Sequence, residues 1–475
     1  MADQHGYPAE IPVEATPLLP TLSSHQRPKK LSSKKKTFGN IVISIVGAGV
    51  LGLPYAFKES GYLLGSICIV AAGALAWYCM MLLIKCAAKL KEQNHEVHTY
   101  GDLGFHSLGN FGRQLTDVTV VISQGGCCVA YLVFIAENLC TLVPLPKTPV
   151  ILLLIPFQTL LSWAVDWCVL LSQSGFCVAY LVTIAGNVGS ALHLSGVAVV
   201  ASIVPLQILL SWIRSLTGLA PFSIVADVFM AIAMAVVIKD DVAVIGPSSF
   251  SHVHAFTSLS KAPFVIGVAV YCFEGFAMTQ PIEQSMKERK SFGWVLGLAI
   301  GLITFVYLSF GMIGYLAYGE ATRDIITLNL PHDWTTIAVK LGLSVGLFFT
   351  FPVMMVPVYE IADRRLMSFS WFRQYVEPSP RLRTALFRTA RALIVLLAAY
   401  IAISVPGFGI FISLVGSTVC AMLAFVLPGL FHLKTFEGEL TWFARVFDYL
   451  LIAFGTTFGV VGTFNTLASI VESRH

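Results

Sequence analysis

The sequence predicts an all-α membrane protein that crosses the bilayer many times. Hydrophobic residues make up 56% of its 475 residues and charged residues only 12%, whereas about a quarter of an ordinary soluble domain is charged. Its mean hydropathy is +0.79. Apolar runs of about 20 residues, the length at which a helix spans a bilayer, recur from residue 38 to residue 468. A bundle of helices satisfies the backbone of such runs in lipid.

The first 36 residues are predicted to form a disordered tail in the cytosol. They are polar, rich in proline and serine, and end in the basic run KKLSSKKK, a composition that cannot bury a core. Within the tail, Glu14, Leu18 and Leu19 have the spacing of an acidic dileucine sorting signal for a vacuole or lysosome. Such short patterns also arise by chance, so both interpretations of the signal stay open.

Thirteen apolar segments account for the rest of the chain, residues 37–470, and their orientation follows from the basic residues. Lysine and arginine cluster in the N-terminal run, around Lys89, at 286–290 and at 364–391, whereas the loops at 240–260 and 319–333 are poor in both. Because cytosolic loops carry the excess of basic residues, the N-terminus is predicted to be cytosolic. The predicted spans are 38–57, 62–88, 115–139, 148–164, 167–189, 195–213, 219–238, 263–284, 294–318, 335–361, 391–405, 407–431 and 446–468.

Composition also bears on the class of function. The net charge of +4 is spread over loops, whereas nucleic-acid binding requires a concentrated basic face. Most of the ten cysteines lie inside apolar spans without metal-ligand spacing, so they are interpreted as packing residues, and no metal or cofactor is predicted. No H-E-x-x-H or G-x-S-x-G pattern supports a membrane-embedded enzyme. Transport, channel and receptor functions remain.

The first span is interrupted where a bilayer helix should be continuous. It reads NIVISIVGAGVLGLPYAFKESG at 40–61, with Gly47, Gly49 and Gly52 near its middle and Pro54 near its exit. In a helix interior, glycine and proline cost roughly 1 and 3 kcal/mol relative to alanine. A broken backbone persists at membrane depth only where protein buries it or where it lines a cavity. Two interpretations are open: a broken helix that binds a ligand, or close packing of small residues.

A second interrupted span favours ligand binding. Residues 267–281 read GVAVYCFEGFAMTQP, in which Gly267, Gly275 and Pro281 surround the ionisable Glu274. Ionisable residues in a span usually mark a functional site, and interrupted spans at matching places in two halves indicate the site of an inverted-repeat transporter. Because burial disfavours a charged carboxylate, Glu274 is interpreted either as a proton carrier or as a group that caps or bridges helices.

A helical hairpin is duplicated between the two interrupted spans. Residues 117–163 and 166–212 are identical at 22 of 47 positions without gaps, which indicates a true repeat. An added hairpin preserves the orientation of later spans. If one copy is omitted, the interrupted spans become the first and the sixth, as two inverted five-helix repeats require. The chain is therefore either a thirteen-span variant or the product of a gene model that retains an alternative exon.

Five stretches carry a resemblance to a known family. They are GAGVLGLPYAFKESG, GVAVYCFEGFAM, the GYLAYG…ITLNLP loop at 314–331, TFPVMMVPVYEI at 350–361 and VPGFGIFISLVGSTVCAMLAFVLPGLFHL at 405–433. Together they resemble the amino acid/auxin permease family, and within it the vacuolar and lysosomal amino acid transporters, particularly the plant vacuolar branch. The resemblance covers about 37–470. It implies a LeuT-like core of two five-helix inverted repeats; the family usually has eleven spans, and thirteen is a departure.

The resemblance also implies where an amino acid would bind. Its carboxylate would bind the first break, and its ammonium would face the carbonyls of the second. The residues implied at the two breaks are Gly47, Ala48, Gly49, Val50 and Gly52, and Val270, Tyr271, Phe273 and Gly275. Contacts from the family's third span would come from either hairpin copy, through Ser123, Gln124 and Tyr131 or through Ser172, Gln173 and Tyr180.

Proton-linked transport of small neutral amino acids from a vacuolar or lysosomal lumen to the cytosol is the predicted function. Tyr271 and Phe273 would limit the size of the substrate side chain. Glu274 is the candidate for proton coupling, and Thr350 matches a position where sodium-coupled relatives place a hydroxyl beside the ion, although a membrane threonine usually bonds its own backbone. The alternatives are sodium coupling, an auxin-type permease, an amino-acid sensor or receptor, and a plasma-membrane location. The preferred amino acid and the oligomeric state are left open.

Overall fold

The computed structural model describes residues 32–95, 97, 99–142, 151, 220–246, 249, 253–331, 333–404 and 407–472. Within these ranges the chain forms thirteen α-helices, and its β-structure is limited to one isolated bridge. The helices are α1 (Lys34–Ile45), α2 (Leu53–Ser60), α3 (Tyr62–Glu92), α4 (Tyr100–Leu142), α5 (Ala220–Val244), α6 (Ala262–Cys272), α7 (Phe276–Ser285), α8 (Phe292–Tyr318), α9 (Trp334–Ser368), α10 (Pro380–Ser404), α11 (Phe408–Val415), α12 (Leu427–Thr435) and α13 (Trp442–Glu472).

The helical membrane architecture is confirmed in the part of the chain that the structure describes. Six helical segments there are long and apolar enough to cross a bilayer, and a seventh is added if α1 and α2 count as one bent span. The segments include Phe408–Thr435, in which π-helical turns at Gly416–Cys420 and Met422–Val426 join α11 to α12. The predicted spans at 148–164, 167–189 and 195–213 lie outside the described residues, so the count of thirteen stays a prediction.

The first span is broken between α1 and α2, where its glycines predict a break. Val46 leaves the helix with φ −75° and ψ 109°, and Gly47 is fully extended at φ −131° and ψ −169°. A 3₁₀ turn, Ala48–Gly52, then leads into α2, and the two halves of the span are bent by 51°. Proline is favourable at the start of α2 because the first amides of a helix have no partner within it.

The second interrupted span is broken between α6 and α7. Phe273, Glu274 and Gly275 connect the two helices. The amide of Phe273 still donates to the Ala269 carbonyl at 3.1 Å, and the amide of Glu274 turns back to the Tyr271 carbonyl at 3.2 Å. The helix restarts at Phe276, so Glu274 lies inside the break itself.

Helices α1 and α7, one half of each broken span, pack together toward one end of the bundle. A Cβ added to Gly275 would lie 2.8 Å from Cγ1 of Ile45, and the amide of Ser32 donates to the Ser285 carbonyl at 2.8 Å. Lys34 and Glu288 form an ion pair of 2.8 Å at the same end. We call this end, which carries the connections 93–99, 286–291 and 436–441, the basic end.

The last three residues of the predicted tail belong to the first turn of α1. Helix α1 begins at Lys34, and the Ser33 hydroxyl accepts a hydrogen bond from the amide of Lys36 at 3.4 Å. A serine side chain at this position satisfies one of the amides that have no partner in the first turn. The basic run therefore supplies the first turn of the broken span.

The half-helix α6 packs against the π-helical segment of the span that contains α11 and α12. A Cβ added to Gly416 would overlap the carbonyl oxygen of Gly267, and one added to Gly267 would lie 2.7 Å from the carbonyl oxygen of Ser413. The two backbones are therefore in direct contact. At Gly267 and Gly416, the absence of a side chain therefore allows close packing between helices.

The loop that follows α8 closes the opposite end of the bundle. Ile325 and Ile326 in this loop are fully buried. The Asp324 carboxylate accepts a hydrogen bond of 3.0 Å from the amide of Phe408 at the start of α11, and the Thr327 hydroxyl lies 2.6 Å from the side-chain oxygen of Asn138 on α4. The loop is thus held to two helices as well as packed between them.

Candidate functional site

The first break presents three backbone amides that have no partner. The amide of Val50 donates to the Gly47 carbonyl at 3.3 Å, but none of the hydrogen bonds of the described residues starts from the amides of Gly47, Ala48 or Gly49. These amides begin a helical segment that runs on through α2 to Ser60. Free amides at such a position carry partial positive charge and form a binding site for an anion.

Open space lies in front of Gly47 but not in front of Gly49. A Cβ at Gly47 would meet only the Tyr131 hydroxyl oxygen within 4 Å, at 3.7 Å. At Gly49 it would lie 2.9 Å from Cδ1 and from Cε1 of Tyr271 and 3.0 Å from Sγ of Cys272. The Tyr271 ring therefore covers the 3₁₀ turn, and the space beside the free amides is bordered by Gly47 and Tyr131.

The carboxyl group of Glu274 meets an amide side chain of α4 in the second break. Nε2 of Gln124 lies 3.4 Å and 3.5 Å from the two carboxyl oxygens, and the two residues are only 5% and 8% exposed, in that order. Among the described residues, Glu274 forms no ion pair with a basic side chain. Because its partner is a neutral amide, gain or loss of a proton by Glu274 changes the buried charge by one.

Polar residues of the first hairpin copy gather around both breaks. Besides Gln124 and Tyr131, the hydroxyl of Ser123 lies 3.6 Å from Sγ of Cys420, and the Tyr271 hydroxyl interacts with the Cys127 thiol. The contacts predicted for the third span are therefore available from this copy. The corresponding Ser172, Gln173 and Tyr180 of the second copy lie outside the described residues, as do Glu14, Leu18 and Leu19.

Tyr307 of α8 joins the two breaks and was not predicted as a site residue. Its hydroxyl lies 3.0 Å from the Cys272 carbonyl oxygen and 3.4 Å from the Ile45 carbonyl oxygen, so it donates to the last residues of both α6 and α1. The residue is 1% exposed. A tyrosine in a membrane span needs a hydrogen-bond partner for its hydroxyl. This need is the feature of the sequence that could have indicated Tyr307 as a site residue.

Several residues predicted to bind substrate are packing residues in the structure. Val50 is fully buried, and a Cβ at Gly52 would lie 2.9 Å from Cδ1 of Ile412, so Gly52 faces α11. The ring of Phe273 points toward α3 and α8, because it contacts Gly73 and lies 5.2 Å from the Tyr307 ring. That Phe273 limits substrate size stays a prediction.

The carbonyl groups of the second break are only partly available. The Tyr271 carbonyl accepts the amide of Glu274, and that of Cys272 accepts the Tyr307 hydroxyl. No described hydrogen bond ends on the carbonyls of Val270 or Phe273, which leaves these two for a donor. Thr350 lies in α9, and its side chain is outside the described part.

The chain is similar to a known family and to named transporters over most of its length. The family model described as transmembrane amino acid transporter protein matches residues 30–167 and 159–471. Amino acid transporter ANT1 of Arabidopsis thaliana is 41% identical over 467 residues, covering 96% of each chain. Amino acid transporter AVT3B of the same plant is 40% identical over 464 residues, covering 97% of each. AVT3A is 38% identical over 465 residues, covering 98% of this chain and 94% of its own.

A solved structure also resembles the chain. It is a Na⁺-coupled sialic acid symporter in a substrate-bound, outward-open state, with a TM-score of 0.46 and 9% sequence identity. The alignment covers 92% of this chain and 95% of the symporter chain.

Proposed function

Because the chain belongs to the transmembrane amino acid transporter family, the amino acid/auxin permeases, we propose that it moves small neutral amino acids by proton-linked alternating access from a vacuolar or lysosomal lumen to the cytosol. Members of this family are transporters, so the chain is a membrane transporter and not an enzyme. One observation carries the proposal for the site: the unpartnered amides of the first break lie beside a second break that contains a buried carboxyl group.

The substrate carboxylate binds the amides of Gly47 and Ala48 in this proposal. These amides are free, and the space in front of Gly47 is open, with the Tyr131 hydroxyl at its border. Hydrogen bonds to a charged group contribute about 1.5–3 kcal/mol each, so two or three of them are enough to orient a small ligand.

The substrate ammonium binds the carbonyls of Val270 and Phe273. Carbonyls at the end of a half-helix carry partial negative charge, and these two accept none of the described hydrogen bonds. The site then matches the two charges that every amino acid has. Because Glu274 crosses as the neutral carboxylic acid in this proposal, a charged substrate side chain would lack a dedicated partner and be costly to desolvate. Neutral side chains are favoured for this reason.

Glu274 carries the coupling proton in this proposal. The carboxyl group is buried, its described partner is the neutral Gln124 amide, and it lies in the break that would rearrange when the substrate moves. A carboxylate without a cation is costly in such surroundings. The carboxylic acid form crosses with the substrate, and the proton leaves on the side where the pH is higher.

Uptake of labelled amino acids into vesicles containing the purified full chain tests the function. Saturable, pH-stimulated uptake of alanine, serine or proline without sodium is expected. Saturable binding without flux would identify a sensor instead, and sodium-dependent uptake that ignores pH would contradict proton coupling. Deleting 117–163 and 166–212 in turn, each followed by the same assay, shows which hairpin copy the working transporter needs.

The variant Glu274→Gln tests the coupling residue. An amide cannot titrate, but it keeps nearly the same size and can bond with Gln124. Uptake driven by a pH gradient is expected to fall strongly and to lose its dependence on pH. The control is Glu320→Gln, an exposed residue in the turn that follows α8, and it is expected to keep the pH profile of the wild type. A Glu274→Gln variant with the normal pH profile would assign the residue to helix capping.

A further inference from the structure

The connection between α9 and α10 combines exposed aromatic rings with arginines. Its middle is a π-helical turn, Phe372–Val376. Phe369, Trp371 and Tyr375 are 51%, 43% and 66% exposed, although large aromatic rings are usually buried in a folded chain. Between residues 364 and 391 the chain has seven arginines and a single acidic residue. We call residues 369–383 the aromatic–basic turn, and its exposed rings indicate an interaction surface.

Ring contacts hold the aromatic–basic turn against α10. The rings of Phe369 and Trp371 stack with their centroids 6.1 Å apart, and the Trp371 ring meets the Phe372 ring edge-on at 6.0 Å. Phe372 is 1% exposed, and its ring lies 5.5 Å from the ring of Phe387 on α10. The Arg383 guanidinium lies 6.0 Å from the same Phe387 ring. The turn therefore has a fixed place beside α10, with Arg383 at its edge.

Contacts with α4 place the aromatic–basic turn at the basic end. Arg364, near the end of α9, is 3.9 Å from the carboxylate of Asp117 on α4. A Cβ added to Gly101 would lie 2.6 Å from Oδ1 of Asp117, and Gly101 follows the connection 93–99 directly. The predicted orientation puts this end in the cytosol, and the cytosolic leaflet is the one that carries anionic phospholipids.

The aromatic–basic turn is level with the lipid headgroups. Arg391 of α10 and Asp363 of α9 form an ion pair of 2.8 Å, at the points where the predicted spans of these helices begin and end. Phe387 lies one helical turn further toward the basic end, a rise of about 6 Å. On each side of the hydrocarbon core the headgroup layer is about 5–8 Å thick. Phe387 and the Phe372 ring packed against it therefore lie at headgroup depth.

Three arginines of the turn are available to bind an anion. Arg373, Arg381 and Arg383 are exposed, and none of them forms an ion pair with a described acidic side chain, whereas Arg364 and Arg391 outside the turn are paired. Nε of Arg373 donates to a backbone carbonyl at 3.4 Å, which leaves its two terminal nitrogens. An arginine binds phosphate oxygens through two parallel hydrogen bonds.

We propose that the aromatic–basic turn binds the headgroup of an anionic phospholipid in the leaflet at the basic end. Arg373 and Arg383 donate to the phosphate oxygens, and Trp371 and Tyr375 lie among the headgroups, where rings with an apolar face and a polar edge are favoured. The turn carries a net charge of +2, which complements the negative lipid. Lipid binding here is separate from the substrate contacts and from the proposed proton coupling.

Basic residues at the cytosolic ends of spans also orient membrane proteins without binding a particular lipid. An experiment therefore has to separate a site from the total charge of the basic end. The chain offers a matched control in the connection 286–291, where Lys287 and Lys290 are exposed at the same end. Replacing both removes as much positive charge as replacing Arg373 and Arg383.

Native mass spectrometry of the purified full chain in detergent measures bound lipid while phosphatidylinositol or phosphatidylcholine is added. The wild type is expected to bind phosphatidylinositol more tightly than phosphatidylcholine. Arg373→Gln combined with Arg383→Gln should weaken binding of phosphatidylinositol by about fivefold for each arginine removed and leave phosphatidylcholine binding unchanged. Lys287→Gln combined with Lys290→Gln should bind both lipids like the wild type.

Melting temperatures without added lipid show whether each variant is folded, and the single variants Arg373→Gln and Arg383→Gln, each expected at about fivefold, replace an unstable double variant. Equal weakening in the arginine and lysine variants would assign the effect to total charge. Unchanged binding in the arginine variants would show that the turn is not the site. Displacement of phosphatidylinositol by the same concentration of free inositol phosphate would identify a soluble ligand. Each of these three results overturns the inference, and none of them bears on transport.

Discussion

Two neighbouring glycines of the first break should respond in opposite ways to the same added methyl group. Gly47→Ala and Gly49→Ala place a Cβ on the same 3₁₀ turn, two residues apart. Neither substitution strains the backbone, because both residues have ordinary negative φ angles or extended geometry. The difference between the variants therefore reports only what each methyl group meets.

At Gly49 the methyl group has no room. It would lie 2.9 Å from two ring carbons of Tyr271 and 3.0 Å from Sγ of Cys272, whereas carbon atoms pack best at about 3.5–4.0 Å. The ring would have to retreat by about 0.6–1 Å to restore that separation. Tyr271 and Cys272 are both buried, and overpacking of this kind costs about 1–3 kcal/mol. We expect a lower melting temperature for Gly49→Ala.

At Gly47 the methyl group enters the space proposed for the substrate. Its nearest neighbour is the Tyr131 hydroxyl at 3.7 Å, an ordinary contact, so the melting temperature should stay that of the wild type. Displacing a carboxylate from one amide loses about 1.5–3 kcal/mol, and about 1.4 kcal/mol corresponds to a tenfold change in affinity. The KM for alanine should therefore rise about tenfold or more.

Thermal unfolding of the purified protein and alanine uptake over a range of concentrations measure the two effects. A wild-type melting temperature for Gly49→Ala would show that the contact with Tyr271 is not tight. A wild-type KM for Gly47→Ala would show that no carboxylate binds at these amides, and the proposed substrate orientation would then be wrong.

Three further substitutions test other contacts of the structure. Tyr307→Phe leaves the buried carbonyls of Ile45 and Cys272 without their donor. The free energy of unfolding should fall by about 1–3 kcal/mol, which appears as a lower melting temperature. An unchanged melting temperature would show that the Tyr307 hydroxyl does not join the two breaks. Gly416→Ala drives a methyl group into neighbouring backbone and should abolish folded protein on size-exclusion chromatography, whereas Gly301→Ala, with open space, should not. Asp324→Asn weakens the hydrogen bond to the Phe408 amide that holds the loop after α8. A cysteine introduced at Ile326 should then react with a thiol label faster than the same cysteine in a chain that keeps Asp324. Equal labelling rates would show that this hydrogen bond does not hold the loop in place.

The breaks could be predicted from the sequence because their causes are local. Glycine and proline lower helix stability wherever they stand in a chain, so the stretches around Gly47 and Gly275 indicated interruptions without knowledge of their neighbours. Glu274 was recognisable for a similar reason, since a single ionisable residue inside an apolar run is conspicuous. The span boundaries followed from the same contrast between apolar and polar residues.

The partners across the breaks could not be predicted because a membrane span gives little sign of which face points inward. In water, a polar face and an apolar face reveal how a helix is turned, but here both lipid and protein favour apolar side chains. The pairs Gln124–Glu274 and His432–Asp448, the second of which joins α12 to α13, depend on that rotation. The glycines illustrate the same point, because Gly47 borders open space and Gly52 contacts α11, although nothing in their sequence context separates them.

The contact between Gly267 and Gly416 has a mechanical consequence. Backbones that touch without intervening side chains cannot slide past each other, so α6 must travel with the span of α11 and α12. Among the described residues, helix α7 instead contacts α1 at Gly275 and, through Ser285, near the basic end, and its Gln284 side chain donates to the Val97 carbonyl at 2.8 Å. The two halves of this broken span are therefore anchored to different neighbours. Glu274 lies at the junction between the two anchored halves.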